Sequence, residues 1–463
     1  MSATLTSSAA SRFVSAVGST HVRTELAALN DYQVDGISPV VAVQPENREQ
    51  AADVVKIALE ENFSVIACGA RTALGLGMPP SRYDVALDMT RVRGIAHYDA
   101  GDLTISVDAG TPLAEIATVL AERKQFLPLA VPFFDRATVG GALAAGLDSP
   151  LRHFYGTARD FMIGAEFVDG TGALAKSGGR VVKNVTGYDF HKLLNGSLGS
   201  LAVITQVNFR TFPLQPERRG FLASFKGEAG AFSFVKDLAA SALTPTVLEV
   251  LSPEFTELLL EEKSPVASLR LDAEAWTVCV GFEGSNEVCE RYRRDLARLS
   301  RTPSAQDAIT LYDAQFLPLL EILREAPALM SRAAPQSIVF RFVTLPAQLP
   351  NLLRALRSFA DSSWTPSLIL IRSASIVYLA LLPRQGDETA MKQVAYFWKS
   401  VGSLRAHLEI SASILFCPAE WKSELNVWAH ASGSFDLERR IKKAFDPADM
   451  FARDRFVRGN LKS

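Results

Sequence analysis

Between residues 138 and 210 the chain concentrates its glycines in tight clusters: Gly140 and Gly141, Gly178 and Gly179, Gly187, then Gly196 and Gly199. Glycine tolerates positive φ and lets another group come close to the backbone, so such clusters mark bends that can wrap a flat body. The runs between them, residues 161–168, 201–207 and 209–212, are apolar and β-branched, the composition of buried strands joined by loops. A pocket for a flat, phosphate-bearing ligand is therefore expected in this half of the chain.

At 463 residues the chain exceeds what one average core supports, and two domains, with three subdomains possible, are expected. Hydrophobic residues at 48% and charged ones at 21% match an ordinary soluble globular protein. Lys plus Arg total 48 against 50 for Asp plus Glu, so no global charge draws in nucleic acid or an anionic membrane, and a small molecule is the default partner. The four cysteines, Cys68, Cys279, Cys289 and Cys417, show no C-x-x-C spacing. Neither an iron–sulfur cluster nor a zinc site follows, no metal ligand is assigned, and reduced thiols in a cytoplasmic protein are expected. No apolar run approaches the roughly 20 residues that span a bilayer.

In chain order, an N-terminal helical extension over residues 1–38 leads into an apolar run at 39–43. Asn47 and Gln50 then fit a helix N-cap and its partner three residues on, and Ala51, Val54, Val55, Ala58 and Leu59 recur at helical spacing. Residues 63–67 return to strand character, which makes 39–68 a β-α-β unit with a right-handed crossover. Its exit reads Cys68-Gly69-Ala70-Arg71-Thr72-Ala73, and a turn leaving a parallel strand can offer successive backbone N–H groups to an anion such as a pyrophosphate. Further strands are expected at 85–89 and 103–107, and Thr111 and Pro112 fit N-cap and first helical position of a helix facing inward through Leu113, Ile116, Ala117 and Leu120. Pro213 and Pro216 mark a join, after which strands alternate with long helices, the pattern of an antiparallel sheet covered by helices.

Several motifs together resemble a known family. They are Thr138-Val139-Gly140-Gly141, Tyr155-Gly156, Asp169-Gly170, Val181-Val182-Lys183-Asn184, Gly187-Tyr188-Asp189 and Gly196-Ser197-Leu198-Gly199. In this order they resemble the vanillyl-alcohol-oxidase, or PCMH-type, FAD-binding domain, and more narrowly the FAD-binding E subunits of bacterial glycolate oxidases. The resemblance covers residues 39–215 and a C-terminal echo from Phe445 to Phe456. It implies an α+β fold: a two-lobed FAD-binding domain (lobes 39–95 and 96–215), a cap domain of antiparallel sheet plus helices over 216–430, and a segment 431–463 returning to the FAD domain.

The activity implied is FAD-dependent oxidation of a 2-hydroxy acid, with a second flavoprotein subunit and an iron–sulfur subunit as partners. By the same resemblance Gly69, Ala70, Arg71, Thr72 and Ala73 would meet the pyrophosphate and Thr138, Val139, Gly140 and Gly141 would run along the ring system. Gly199 and Ile204 would meet the adenine side, and Lys183, Asn184, Tyr188 and Asp189 would help hold the cofactor. Relatives usually read R-G-x-G-T at the first loop, and here Arg71 takes a glycine position, where its guanidinium could pair with phosphate. The loop histidine that some relatives use for covalent attachment is absent, which implies non-covalent FAD. The H-G-x-x-G-D-G-N-x-H signature of related dehydrogenases is also missing, and Ala452-Arg453-Asp454 replaces a Pro-Gly turn.

No catalytic residue is assigned. Arg152, His153 and Tyr155 could face a carboxylate or serve the structure, Arg372 could clamp a carboxylate or sit at a sheet edge, and His191, His407 and His430 are scattered. Two other readings stay open: a stand-alone FAD-linked hydroxy-acid oxidase, and an interaction subunit whose flavin site has decayed.

Overall fold

The computed structural model describes residues 5–181, 187–261, 269, 271–360, 367–383, 389–429 and 435–456. The chain divides into two compact units, one of Met1–Leu147, Thr157–Pro213 and His430–Ser463, the other of Asp148–Gly156 and Leu214–Ala429.

In the first unit the β-branched runs Val41–Val43, Val85–Asp88 and Val65–Cys68 lie parallel in that order, with Val22–Arg23 antiparallel at the edge. The expected β-α-β unit is present with one difference: strand Val85–Asp88 lies between its two strands. Alternation and apolarity identify a strand, but its neighbours depend on how the chain returns. Both faces of this small sheet are covered, one by Phe13, Val54, Val55 and Ala58, the other by Leu29, Tyr32 and Tyr83. That is why the strands read as unbroken apolar runs. Asn47 caps helix Arg48–Glu60 by accepting from Gln50 N at 2.9 Å, while the Gln50 side chain accepts from Glu46 N, one residue before the cap.

The same unit holds a five-stranded antiparallel sheet in the order Ile95–Asp99, Thr104–Asp108, Val203–Arg210, Met162–Val168, Leu174–Gly178. Its inner face packs Val107, Phe161, Val207 and Phe209 against helices Leu113–Ala121 and Val139–Ala145. The N-cap of Leu113–Ala121 is Pro112, one position later than the sequence suggests, because the Thr111 hydroxyl is taken by Gly94 N at 2.9 Å. The C-terminal segment returns to the parallel sheet. Val65 N donates to Met450 O, and Ala452 N donates to Val65 O.

The second unit is built on an eight-stranded antiparallel sheet, ordered Ala305–Leu311, Glu217–Phe225, Trp276–Gly284, Val247–Leu251, Ser367–Arg372, Ile376–Leu381, Ile338–Val343, Ser411–Phe416. Alternation gives it two characters. One face carries Cys279, Glu249 and Arg372 in a single cross-strand row, and the other carries Leu248, Val250, Val278 and Val280. Arg372 is thus not a sheet-edge residue. Its strand is paired on both sides, and the side chain is fully buried.

Candidate functional site

In the first unit, strand Val65–Cys68 ends at Gly69, whose Cα passes so near Thr138 that a Cβ there would lie 1.9 Å from Thr138 Oγ1. Only glycine permits this approach. The following residue pair turns the chain, with Arg71 left-handed at φ 64°. Among the described residues, none of the N–H groups of Ala70, Arg71, Thr72 and Ala73 enters a turn, cap or side-chain hydrogen bond. They line the hollow together with Thr138, Gly141, Ala144, Ala145 and Leu198. Successive unclaimed N–H groups around a left-handed residue form a concavity suited to an anion.

Arg71 itself is occupied. Its guanidinium donates to Asp88 Oδ2 at 3.1 Å and lies 4.7 Å over the Tyr32 ring. Asp88, wholly buried at the end of its strand, also accepts from Tyr32 OH (2.7 Å), Gln44 Nε2 (2.9 Å), Thr90 N (3.0 Å) and Thr90 Oγ1 (2.6 Å). The guanidinium expected on a phosphate is tied to the protein instead, and what the loop presents is backbone. Farther along, buried Arg455 donates to the carbonyls of Leu74, Leu76 and Met78 and so fixes the outer limb of the same loop.

A second hollow adjoins the first and shares Cys68, Gly69, Thr138 and Gly141 with it. Its other walls include Met89, Ala109, Gly140, Gly199 and Ile204. Gly140 is needed where helix Val139–Ala145 crosses Ala109, since a Cβ there would stand 2.8 Å from that of Ala109. Thr138 caps this helix from below, its Oγ1 accepting Gly141 N at 3.3 Å. Burial pushes the Cys68 thiol well above its ordinary range, which leaves it an uncharged wall residue rather than a nucleophile. The combined wall is rich in glycine and alanine, with unclaimed N–H donors at one end and apolar side chains such as Met89 and Ile204 at the other. Donors of this kind suit an anionic group such as a pyrophosphate.

Of the residues expected to hold the cofactor, Gly69 to Ala73, Thr138, Gly140, Gly141, Gly199 and Ile204 are brought together around these hollows. Val139 is fully buried in the core beneath them. Tyr188 and Asp189 are placed elsewhere: Tyr188 is 82% exposed, and Asp189 pairs with Lys192 at 2.7 Å. Tyr188 O accepts from Ser177 Oγ on strand Leu174–Gly178, which is at an edge of its sheet. Lys183 and Asn184 lie outside the described residues, as does His430. Residues that sequence reasoning left out of the site are Cys68, Met89, Ala109, Ala144, Ala145, Leu198 and Arg455. Arg455 had one signal, its place in the C-terminal echo.

The second unit holds a separate polar cluster. Asp148 receives Arg341 Nε at 2.6 Å and Tyr378 OH at 3.1 Å on one oxygen, and Arg152 on the other. Arg372 pairs with Glu249 at 2.7 Å and donates to the carbonyls of Asp148 and Leu323. Burial alone would raise the Asp148 carboxyl, but Arg341 and Arg152 outweigh it and hold the group below its usual value. Glu249, with its second oxygen unpartnered, is pushed up to about 7 by burial against the opposing pull of Arg372. Arg152 and Arg372 are therefore already engaged by carboxylates. Tyr155 OH donates to Glu283, His191 is buried against Ser177, and His407 is exposed.

The family described as "FAD binding domain" matches residues 39–178, and the one described as "FAD linked oxidases, C-terminal domain" matches 214–373. The chain belongs to the PCMH-type FAD-binding superfamily. Within it, the glycolate oxidase subunit GlcD of Bacillus subtilis is 24% identical over 326 residues, 70% of this chain and 68% of that protein. The glycolate oxidase subunit GlcE of Escherichia coli is 36% identical over 160 residues, but the match spans 34% of this chain and only 45% of that protein. The structure of p-cresol methylhydroxylase superposes with a TM-score of 0.73 at 16% identity, covering 97% of this chain and 96% of that one, so the PCMH-type fold extends through both units. As a member of this superfamily the chain is an FAD-linked oxidoreductase of the glycolate oxidase and D-lactate dehydrogenase group, and its cofactor is FAD. Among the described residues no helix is long and apolar enough to cross a membrane.

Proposed function

We propose that the chain is the E-type FAD-binding subunit of a glycolate or similar 2-hydroxy-acid dehydrogenase, holding FAD without a covalent bond. The observation that carries this reading is the run of unclaimed N–H groups from Ala70 to Ala73 in a hollow whose other lining includes the small residues Gly69, Gly141, Ala144 and Ala145 beside Thr138 and Leu198. The stretch of 36% identity to an E-type subunit supports the narrower assignment. FAD bound there would accept a hydride from the substrate carbon. The backbone of residues 70–73 would bind its pyrophosphate, Thr138 and Gly141 would shape the wall beside it, and Ala109, Gly140 and Ile204 would exclude water from its flat face. By the resemblance to E-type subunits, electrons would leave through a partner subunit that carries the iron–sulfur centre.

A second reading is a stand-alone FAD-linked hydroxy-acid oxidase, favoured by the longer match to GlcD and by the structural match through both units. The test is to purify the chain alone and with its native partners, record the visible spectrum, and assay D- and L-2-hydroxy acids with a dye acceptor. A yellow protein that releases its flavin on denaturation and turns over only with partners is expected. Turnover by the single chain selects the second reading, and a colourless protein that takes up no FAD overturns both.

A further inference from the structure

A hollow of about 980 Å³ in the second unit is lined by none of the residues of the loop at 69–73 or of the Asp148 and Glu249 clusters. That volume is at the upper end of the roughly 300–1,000 Å³ typical of small-molecule pockets. It lies on the apolar side of the eight-stranded sheet. Leu248 lines it, and strand alternation puts the neighbouring Glu249, with the ionic cluster, on the opposite face. The wall is mainly apolar, through Phe154, Phe232, Leu238, Leu243, Leu248 and Leu349. Phe232 is backed by Trp276, their ring centroids 6.3 Å apart, so the aromatic wall is braced rather than loose.

The polar part of the lining has one sign. Its charge comes from Lys236, burial keeps the His153 imidazole below its ordinary value and so favours the neutral ring, and no lining residue is a carboxylate. Glu228, at the start of the helix that carries Phe232 and Lys236, is already paired with Arg357 at 2.9 Å. The lining also includes Ser373, whose Oγ is buried and has no hydrogen-bond partner. A buried hydroxyl left unpaired is unfavourable, and a bound acceptor relieves it. Ser373 is held in place, because its N–H donates to Leu248 O at 2.7 Å.

We propose that this hollow binds an amphipathic organic monoanion, an alkyl or aryl body bearing one carboxylate. The body lies against Phe154, Phe232, Leu238 and Leu248. The carboxylate is drawn by the Lys236 ammonium, and the His153 ring and the Ser373 hydroxyl offer neutral donors. The proposal does not depend on the cofactor site or on the subunit assignment, since every residue named belongs to the second unit.

The test is calorimetric titration of the full purified protein with dodecanoate below its micelle concentration, with dodecyltrimethylammonium as the control of opposite charge. One saturable site for dodecanoate and none for the cation is expected. Lys236→Glu should weaken dodecanoate at least about fivefold, the equivalent of ~1 kcal/mol for one exposed ion pair. Ala239→Trp, an exposed wall position, should abolish binding, and both variants should keep the wild-type melting temperature. Absence of saturable binding, equal binding of the cation, or binding untouched by both variants would overturn the proposal. So would a concentration-dependent dimer that Ala239→Trp dissociates with no dodecanoate binding, since the hollow would then be an interface between copies.

Discussion

Arg71 shows how a single substitution in a phosphate loop can be tolerated. A non-glycine residue in the left-handed region costs roughly 1–2 kcal/mol. Here the side chain offsets the cost with a charge-assisted hydrogen bond to buried Asp88 and a ring contact with Tyr32. We expect Arg71→Ala, which loses both contacts and keeps the strain, to destabilise by about 2 kcal/mol. Arg71→Gly loses the same contacts but relieves the strain, so it should recover about 1 kcal/mol of that. FAD affinity should follow the same order, wild type, Gly, Ala. Urea unfolding and flavin titration measure both, and equal stability of the two variants would refute the strain argument.

Glu249 gives a pH signature at the same scale. Its carboxyl is raised from about 4.5 to about 7 in the fold, so between these values the native state holds a proton that the unfolded chain has released. Stability must then fall as pH rises through this window, by an amount on the order of 3 kcal/mol from this group. In Glu249→Gln that slope should flatten. Chemical denaturation at pH 5, 6, 7 and 8 compares the two, and parallel curves would show that Glu249 does not titrate in the window.

At the scale of elements, helix Asp313–Arg332 contains Pro318 and Pro327, which helical periodicity alone would count against it. Pro327 has no N–H to give the carbonyl four residues earlier, and that carbonyl belongs to Leu323. Arg372 Nη2 fills the gap at 2.6 Å, so the interrupted helix and the buried arginine account for each other. Removing the arginine in Arg372→Met should cost about 3–5 kcal/mol, because Glu249 and Leu323 O lose their partner. Adding Pro327→Ala supplies Leu323 O with an N–H and should restore about 1 kcal/mol. An equilibrium unfolding double-mutant cycle reads the coupling, and additive effects would exclude the link. The residues of this helix were visible in the sequence, but Arg372 is far from them along the chain. Sequence spacing therefore left it as either a carboxylate clamp or an edge residue.

At the scale of the molecule, the C-terminal segment completes the first unit. Buried Lys442 holds Asp446 at 2.6 Å and the carbonyls of Ser200 and Phe451, while Met450 to Ala452 pair along Val65. Arg455 then braces the segment that follows Ala73 through the carbonyls of Leu74, Leu76 and Met78. Arg455→Gln leaves up to three loop carbonyls without their donor, so it should lower the melting temperature and also lower FAD affinity by about tenfold, the equivalent of ~1.4 kcal/mol. Flavin titration well below the variant's melting temperature checks this, and undiminished affinity would make Arg455 a purely structural residue.

The sequence by itself determined the local decisions. Glycines fell where the chain must bend or touch and β-branched runs became strands, because these depend on steric rules within a few residues, while FAD was implied only by the resemblance of the ordered motifs from Thr138 to Gly199 to a known family. Tertiary structure alone decided strand order, the burial of Arg372, the capture of the Arg71 guanidinium by Asp88 rather than a phosphate, and the exposure of Tyr188. Each of these turns on which distant group occupies the adjacent space. A side chain's charge is written in the sequence, but its partner is set by packing.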